Sequence, residues 1–239
     1  MRAMILCAGR GERMRPLTDT MPKPLLPVGG KPLVLHAIER LRAAGVRDIV
    51  INHAHLGAMI ETALGDGTRY GVSIRYSREA EALETAGGIA SALPLLDAPE
   101  FIVVNGDVYC EHDLAALCRP LPDGALAHLV LVDNPDHHPH GDFALEGDHV
   151  VNRGGAMLTF SGLGRYRAGL FAGIAPGTKA QLAPLLRTAA DRGQLQGEHY
   201  RGCWRDVGTP ERLAELDRKL AARGAWSWRL MHAKSMQLL

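Results

Sequence analysis

One short stretch near the start of the chain concentrates groups that bind anions. The apolar run Ala3–Leu6 delivers Ala8-Gly9-Arg10-Gly11-Glu12-Arg13-Met14-Arg15-Pro16-Leu17-Thr18. Two glycines let the backbone turn tightly and bring its N–H groups against an anion. Arg13, Arg15 and Lys23 add positive charge in the same segment. Fixed N–H donors for the oxygens, with cations for the charge, are what a triphosphate requires. Two aspartates add acidic chemistry. Asp107, in Val103-Val104-Asn105-Gly106-Asp107-Val108, lies just past an apolar run, and Asp206, in Trp204-Arg205-Asp206-Val207-Gly208-Thr209-Pro210, precedes a helix start. Ligands of open α/β sheets bind beyond the carboxyl ends of strands. Two carboxylates from distant parts of a chain can hold Mg²⁺ while substrate phosphates fill its other positions. Taken singly, either Asp is more often a turn or cap residue.

Two familiar phosphate loops do not fit. The third glycine of a dinucleotide-binding turn would fall at Met14, too large for the helix–strand packing that glycine serves. Pro16 and Pro22-Lys23-Pro24 also prevent a helix from following directly. No Gly-Lys-Ser/Thr is present for a Walker loop. A nicotinamide-dependent oxidoreductase is therefore a distant alternative.

The elements that must position these groups alternate from the start. Val34, Ala37, Ile38 and Leu41 have helical spacing across Leu33–Ala44, which Gly45 stops. Asp48–Ile51 reads as a strand, His55–Leu64 as a helix closed by Gly65-Asp66-Gly67, Val72–Tyr76 as a strand and Thr85–Leu93 as a helix. Thr85 also reads as that helix's N-cap. Phe101–Val104 is wholly apolar, like a strand inside a parallel sheet. In the second half, Ala127–Val132 is a strand, and Phe143–Glu146 with His149–Asn152 form a hairpin across Gly147-Asp148. Leu182–Ala190 is helical and Tyr200–Val207 extended. A last helix opens with Thr209 as N-cap and Pro210 at the first helical position and runs to about Arg223. The pattern predicts an α/β protein with a doubly wound, mixed, mostly parallel sheet. With neither internal repeats nor a low-complexity linker, residues 1–223 read as a single domain followed by a tail, 224–239.

Composition removes several classes. The chain has 239 residues, 46% hydrophobic and 22% charged, with a net charge of +1. That is an ordinary globular balance, with no basic field for nucleic acid. No apolar run reaches membrane-spanning length. Cys7, Cys110, Cys118 and Cys203 lack zinc-knuckle spacing and read as reduced thiols. The start of the chain has no signal-peptide pattern, so a cytoplasmic protein is expected. His137, His138 and His140 sit in a Pro-bearing loop without the helical pattern of a zinc site. His53 and His55 alternate sides of an extended segment and receive no role. Nothing in the sequence specifies an oligomeric state.

Leu6-Cys7-Ala8-Gly9-Arg10-Gly11-Glu12-Arg13-Met14, with Pro16-Leu17-Thr18 and Pro22-Lys23-Pro24, resembles the signature of the sugar nucleotidyltransferases of the GT-A-like fold. Cys7 departs mildly from the small residue usual there. The resemblance implies that the turn (Ala8, Gly9, Gly11, Glu12, Arg13) and Lys23 hold a nucleoside triphosphate. It also implies that Lys23, with Arg13, offsets charge during transfer, and that Asp107 and Asp206 ligate Mg²⁺. Glu79 to Gly88, with Glu84-Thr85-Ala86-Gly87-Gly88 at its end, is similar to the segment that contacts base and ribose, with Thr85 in the contact and Glu84 where the family often has Gly.

Further stretches resemble one branch, the N-acetylmuramate-1-phosphate uridylyltransferases of peptidoglycan recycling. They include Asp133-Asn134-Pro135, Gly141-Asp142-Phe143, Leu158-Thr159-Phe160-Ser161-Gly162 and Gly197-Glu198-His199-Tyr200-Arg201-Gly202. The similarity spans nearly all of residues 1–223 and implies that UTP and a sugar 1-phosphate are the substrates. It further implies that Asn105 and Asp142 contact the amino sugar. Asn152 to Ala156 departs from the acidic residues of relatives, and the chain ends without the left-handed β-helix of bifunctional acetyltransferase relatives. Alternatives are a mannose-1-phosphate guanylyltransferase, a glucose-1-phosphate thymidylyl- or uridylyltransferase, or a non-catalytic nucleotide-sugar-binding regulatory subunit. Loss of Lys23 or of either Asp would favour the last, and all three are present.

Overall fold

A computed structural model describes the backbone of residues 1–235 and the side chains of residues 1–222. In chain order the strands are β1 (Arg2–Leu6), β2 (Pro27–Val28), β3 (Lys31–Pro32), β4 (Asp48–His53), β5 (Ser73–Arg78), β6 (Glu100–Asn105) and β7 (Val108–Cys110), then β8 (Ala127–Val132), β9 (Phe143–Glu146), β10 (His149–Val151), β11 (Met157–Arg167), β12 (Leu195–His199) and β13 (Trp204–Asp206). The helices are α1 (Leu17–Thr20), α2 (Leu33–Ala43), α3 (Gly57–Leu64), α4 (Glu84–Leu96), α5 (Leu182–Asp191) and α6 (Pro210–Ser235).

Nine strands form one mixed sheet in the order β5-β4-β1-β6-β11-β8-β12-β10-β9. β5, β4, β1 and β6 are parallel, β11 runs antiparallel to β6 and β8, and β12 is parallel to β8. Helices cover both faces. Alternate residues of β1 show why: Ala3 and Ile5 pack with α2 and α3, while Met4 packs with α4. The chain passes from β1 outward to β4 and β5, then returns across β1 to form β6. That reversal opens a crevice at the carboxyl ends of β1 and β6.

The expected first-half elements and the hairpin are all present. Two strands of the second half, β11 and β12, were not anticipated as strands. The last helix does not stop near Arg223; it continues to Ser235, and residues 236–239 of the expected tail lie outside the described residues. Its start matches expectation, since the Arg212 N–H donates to Thr209 Oγ1 at 3.4 Å. A third apolar cluster joins α6 to the anion-binding segment, packing Leu213 and Leu216 with Met14, Leu26, Val28 and Leu33.

Candidate active site

Register aligns the site. Leu6 pairs with Asn52 on one side and Asn105 on the other, so three strands end in one row. The loop after β1 carries Ala8 and Gly9, and the loop after β6 carries Gly106 and Asp107. Gly11 adopts φ +70°, and a Cβ there would press on Thr18 at 3.0 Å. Thr18 Oγ1 in turn donates to the Gly11 carbonyl at 2.8 Å, closing the turn. Gly9 has no such demand: a Cβ there would meet nothing within 4 Å. Its open space faces a cavity of about 350 Å³ lined by Ala8, Gly9, Lys23, Asn52, Glu84, Thr85, Asn105 and Asp107, among others.

Lys23 is buried, and its Nζ donates to Asp107 Oδ2 at 2.6 Å. Pro22 and Pro24 restrict the backbone on either side of it. The Asp107 side chain remains 40% exposed, so its carboxylate can still meet a ligand. Burial, and then the Asp107 charge, push the adjacent Cys7 thiol upward, which keeps it neutral and unreactive. The far wall of the cavity rests on buried polar groups. Asn52 accepts from the Cys7 N–H at 2.9 Å and donates to Glu79 at 2.7 Å, and Glu79 accepts from the Leu83 N–H at 2.9 Å.

Asp206 is brought beside the Asp107 backbone by a different route. β13 pairs antiparallel with β7, placing Asp206 opposite Val108, and the Val207 N–H donates to the Asp107 carbonyl at 2.9 Å. Asp206 lines a neighbouring cavity of about 510 Å³ with Asp133, Asn134, His137 and Arg212. Among the described residues no cluster of three or more His, Cys, Asp or Glu could cage a metal ion. Asp206 does not line the Asp107 cavity; carboxylates from two adjoining backbone segments would suit a hard divalent cation that completes its sphere with phosphate oxygens and water.

Not every expected residue converges. Arg13 and Glu12 are exposed in a one-turn helix, Glu12–Met14, and neither they nor Gly11 line either of these two cavities. Thr85 lines the cavity but is not a helix cap. α4 begins one residue earlier, and the Ala180 carbonyl already accepts from the Ala86 and Gly87 N–H groups. Asn105 faces the cavity beside a bulge in β11, where a Cβ on Gly162 would strike its amide at 2.6 Å. Asp142 lines neither cavity. It braces the loop, accepting from the Phe160 N–H at 2.8 Å and lying 3.1 Å from His138 Nε2. Sequence reasoning missed Asn52, which sits in an ordinary strand position, and gave Glu79, just past the end of β5, only as the start of the base and ribose segment. It also missed Arg212, whose partner only the fold supplies. The four cysteines are free thiols, and no described helix is long and apolar enough to cross a membrane.

Comparison with known proteins places the chain in a family. The family described as Nucleotidyl transferase matches residues 2–147. An N-acetylmuramate alpha-1-phosphate uridylyltransferase from Neisseria meningitidis is 55% identical over 95% of this chain and 100% of its own length. A mannose-1-phosphate guanyltransferase from Yarrowia lipolytica is 46% identical, covering 88% of this chain and 61% of the relative. The solved structure of an inositol-1-phosphate CTP transferase from T. maritima shares the fold, with a TM-score of 0.76 over 92% of this chain and 95% of that one at 18% identity. A match that begins at the first strand and takes in both the glycine turn and Asp107, together with a relative aligned along its entire length, makes this chain a member of the nucleotidyl transferase family.

Proposed function

We infer that the protein transfers a uridylyl group from UTP to N-acetylmuramate 1-phosphate, giving UDP-N-acetylmuramate and pyrophosphate. The observation that carries the reading is the Lys23–Asp107 contact of 2.6 Å in a cavity shared with Ala8, Gly9 and Thr85. A cation and a metal-type carboxylate meet there beside backbone open to a polyphosphate. The choice of nucleotide and sugar rests on 55% identity to the Neisseria meningitidis enzyme along its full length.

In this mechanism a sugar-phosphate oxygen attacks the α-phosphorus in line, and pyrophosphate leaves. Two anions must approach, so positioning and charge neutralisation do the catalysis. The turn at Ala8 and Gly9 holds the triphosphate, and Lys23 offsets charge on the phosphates. Thr85 contacts the nucleoside, and Asn105, next to the β11 bulge, contacts the sugar. Asp142 acts on the sugar through the loop it braces. Arg13, exposed in the segment that follows the turn, meets the outer phosphates on their entry. Asp107 and Asp206 would hold Mg²⁺, which when bound supplies a Lewis acid for the phosphoryl oxygens. The reaction belongs to cytoplasmic peptidoglycan recycling.

Pyrophosphate release, measured with Mg²⁺ across four nucleotides and several sugar 1-phosphates, tests the assignment. UTP with N-acetylmuramate 1-phosphate is expected to exceed every other pair in kcat/KM by at least about tenfold, roughly 1.4 kcal/mol of transition-state preference. Faster turnover of GTP with mannose 1-phosphate would replace the reading with its nearest alternative.

A further inference from the structure

The carboxylate of Asp206 is already occupied by a cation of the protein. Arg212 lies in the first turn of α6, and helical side chains lean back toward the N-terminus. Its guanidinium therefore returns over the β13–α6 junction. Nη1 donates to Oδ1 and Oδ2 of Asp206, each at 2.7 Å. His137 Nε2 lies 2.7 Å from the same nitrogen and 3.2 Å from Asp206 Oδ1. The chain makes room for this arrangement. A Cβ on Gly208 would come within 2.3 Å of Arg212 Nη2, so only glycine leaves the guanidinium its seat. The pair is partly buried, with side chains 23% and 26% exposed, on the wall of the larger cavity.

Resting on the reading of Asp206 as a metal ligand, we propose that Arg212 is a displaceable counter-ion that couples metal binding to the arrival of the sugar phosphate. A divalent cation and a guanidinium cannot both sit against one carboxylate without strong repulsion. In the free protein Arg212 holds Asp206 neutralised and oriented, and it opposes the metal. The phosphate of the sugar substrate brings the negative charge that lets both cations remain: Asp206 turns to the metal, and Arg212 turns to the phosphate. Linkage then requires each ligand to strengthen binding of the other. Arg212 is thus a positioning residue that makes the metal site complete only when the substrate is present.

The test is Mn²⁺ binding to the full chain, read by electron paramagnetic resonance with and without N-acetylmuramate 1-phosphate. In the parent protein the sugar phosphate is expected to tighten Mn²⁺ binding by about tenfold or more. In Arg212→Met, Mn²⁺ alone is expected to bind about tenfold tighter than in the parent, and the gain from sugar phosphate to fall below about threefold. Arg212→Gln, which keeps a hydrogen-bonding amide without charge, is expected to match it and covers the case in which the Met variant does not fold. Arg212→Lys, which keeps the charge, is expected to retain weak binding of Mn²⁺ alone. Unchanged or weaker Mn²⁺ affinity in a folded, uncharged variant overturns the proposal. Asp206→Asn separates the two readings. If it binds Mn²⁺ as the parent does, Asp206 is no ligand and the underlying assignment fails. If it loses the metal while Arg212→Met shows no tightening, the assignment stands and the role of Arg212 falls.

Discussion

At the scale of single residues, Lys23 and Glu84 line the same cavity for opposite structural reasons. Lys23 is fixed by prolines on both sides, and its ammonium has a carboxylate partner. Removing it leaves Asp107 exposed enough to hydrate, so the fold loses little. Lys23→Ala is expected to lower kcat by about 100-fold or more, the scale for losing one preorganised charge at a transition state. Steady-state kinetics beside a thermal melt would check this, and near-parent turnover in a folded variant would remove Lys23 from the mechanism. Glu84 instead carries backbone strain. It adopts φ 61°, a left-handed conformation that costs a residue with a Cβ about 1–2 kcal/mol. Glu84→Gly is expected to recover about that amount and raise Tm by a few degrees. If the same variant also binds UTP more weakly, the strain is maintained for the cavity and not for the fold.

Among the elements, the first half was readable because each strand is apolar and each helix keeps its period. Ala3–Leu6, Leu33–Ala44 and Phe101–Val104 appear as β1, α2 and β6 with ends shifted by a residue or two. The glycine turn, Lys23 and Asp107 were legible with them, because they lie next to those strand ends. β11 was not read as a strand: its register slips between Phe160 and Leu163, so no alternation survives across Ser161-Gly162. β12, Leu-Gln-Gly-Glu-His, has too few apolar residues to stand out. Its Glu198 carboxyl is drawn to about 2 by hydrogen bonds from His112 and His128, partners that only the fold brings near. Asp206 could be read as a candidate, but not its partner Arg212, since nothing in the sequence says that the start of α6 folds back over β13. What holds that junction is the cluster of Leu213 and Leu216 against Met14, Leu26 and Val28. Leu216 is only 2% exposed. Leu216→Ala is expected to cost about 3 kcal/mol, lowering Tm by roughly 6–12 °C. Because the cluster ties the Asp206 strand to the Lys23 segment, the variant is also expected to raise the metal concentration needed for half-maximal activity. A melt with metal titration measures both, and an unchanged metal requirement would mean that α6 merely stabilises the domain.

For the molecule as a whole, acid stability depends on carboxyls whose charge the fold protects. Glu61 on α3 accepts two hydrogen bonds of 2.7 Å from Arg78 on β5, and a third from His53 on β4. The Arg78 bonds chiefly, then the His53 contact, lower its pKa to about 2. Unfolding frees Glu61 to titrate near the usual carboxylate value of about 4.3. Between those values the unfolded chain binds the extra proton, so stability rises with pH there. The contribution is complete above the unfolded value and disappears as pH falls through about 2. Arg78 is 74% exposed, so solvent screens the pair and it adds little to stability. Glu61→Gln should therefore melt lower than the parent at neutral pH, by a few degrees at most. The two melting curves should converge as pH falls from about 4.5 toward 2. A gap that stayed constant over that range would mean that Glu61 acts through packing, and that the acid sensitivity of the fold must come from other carboxyls, Glu198 first among them.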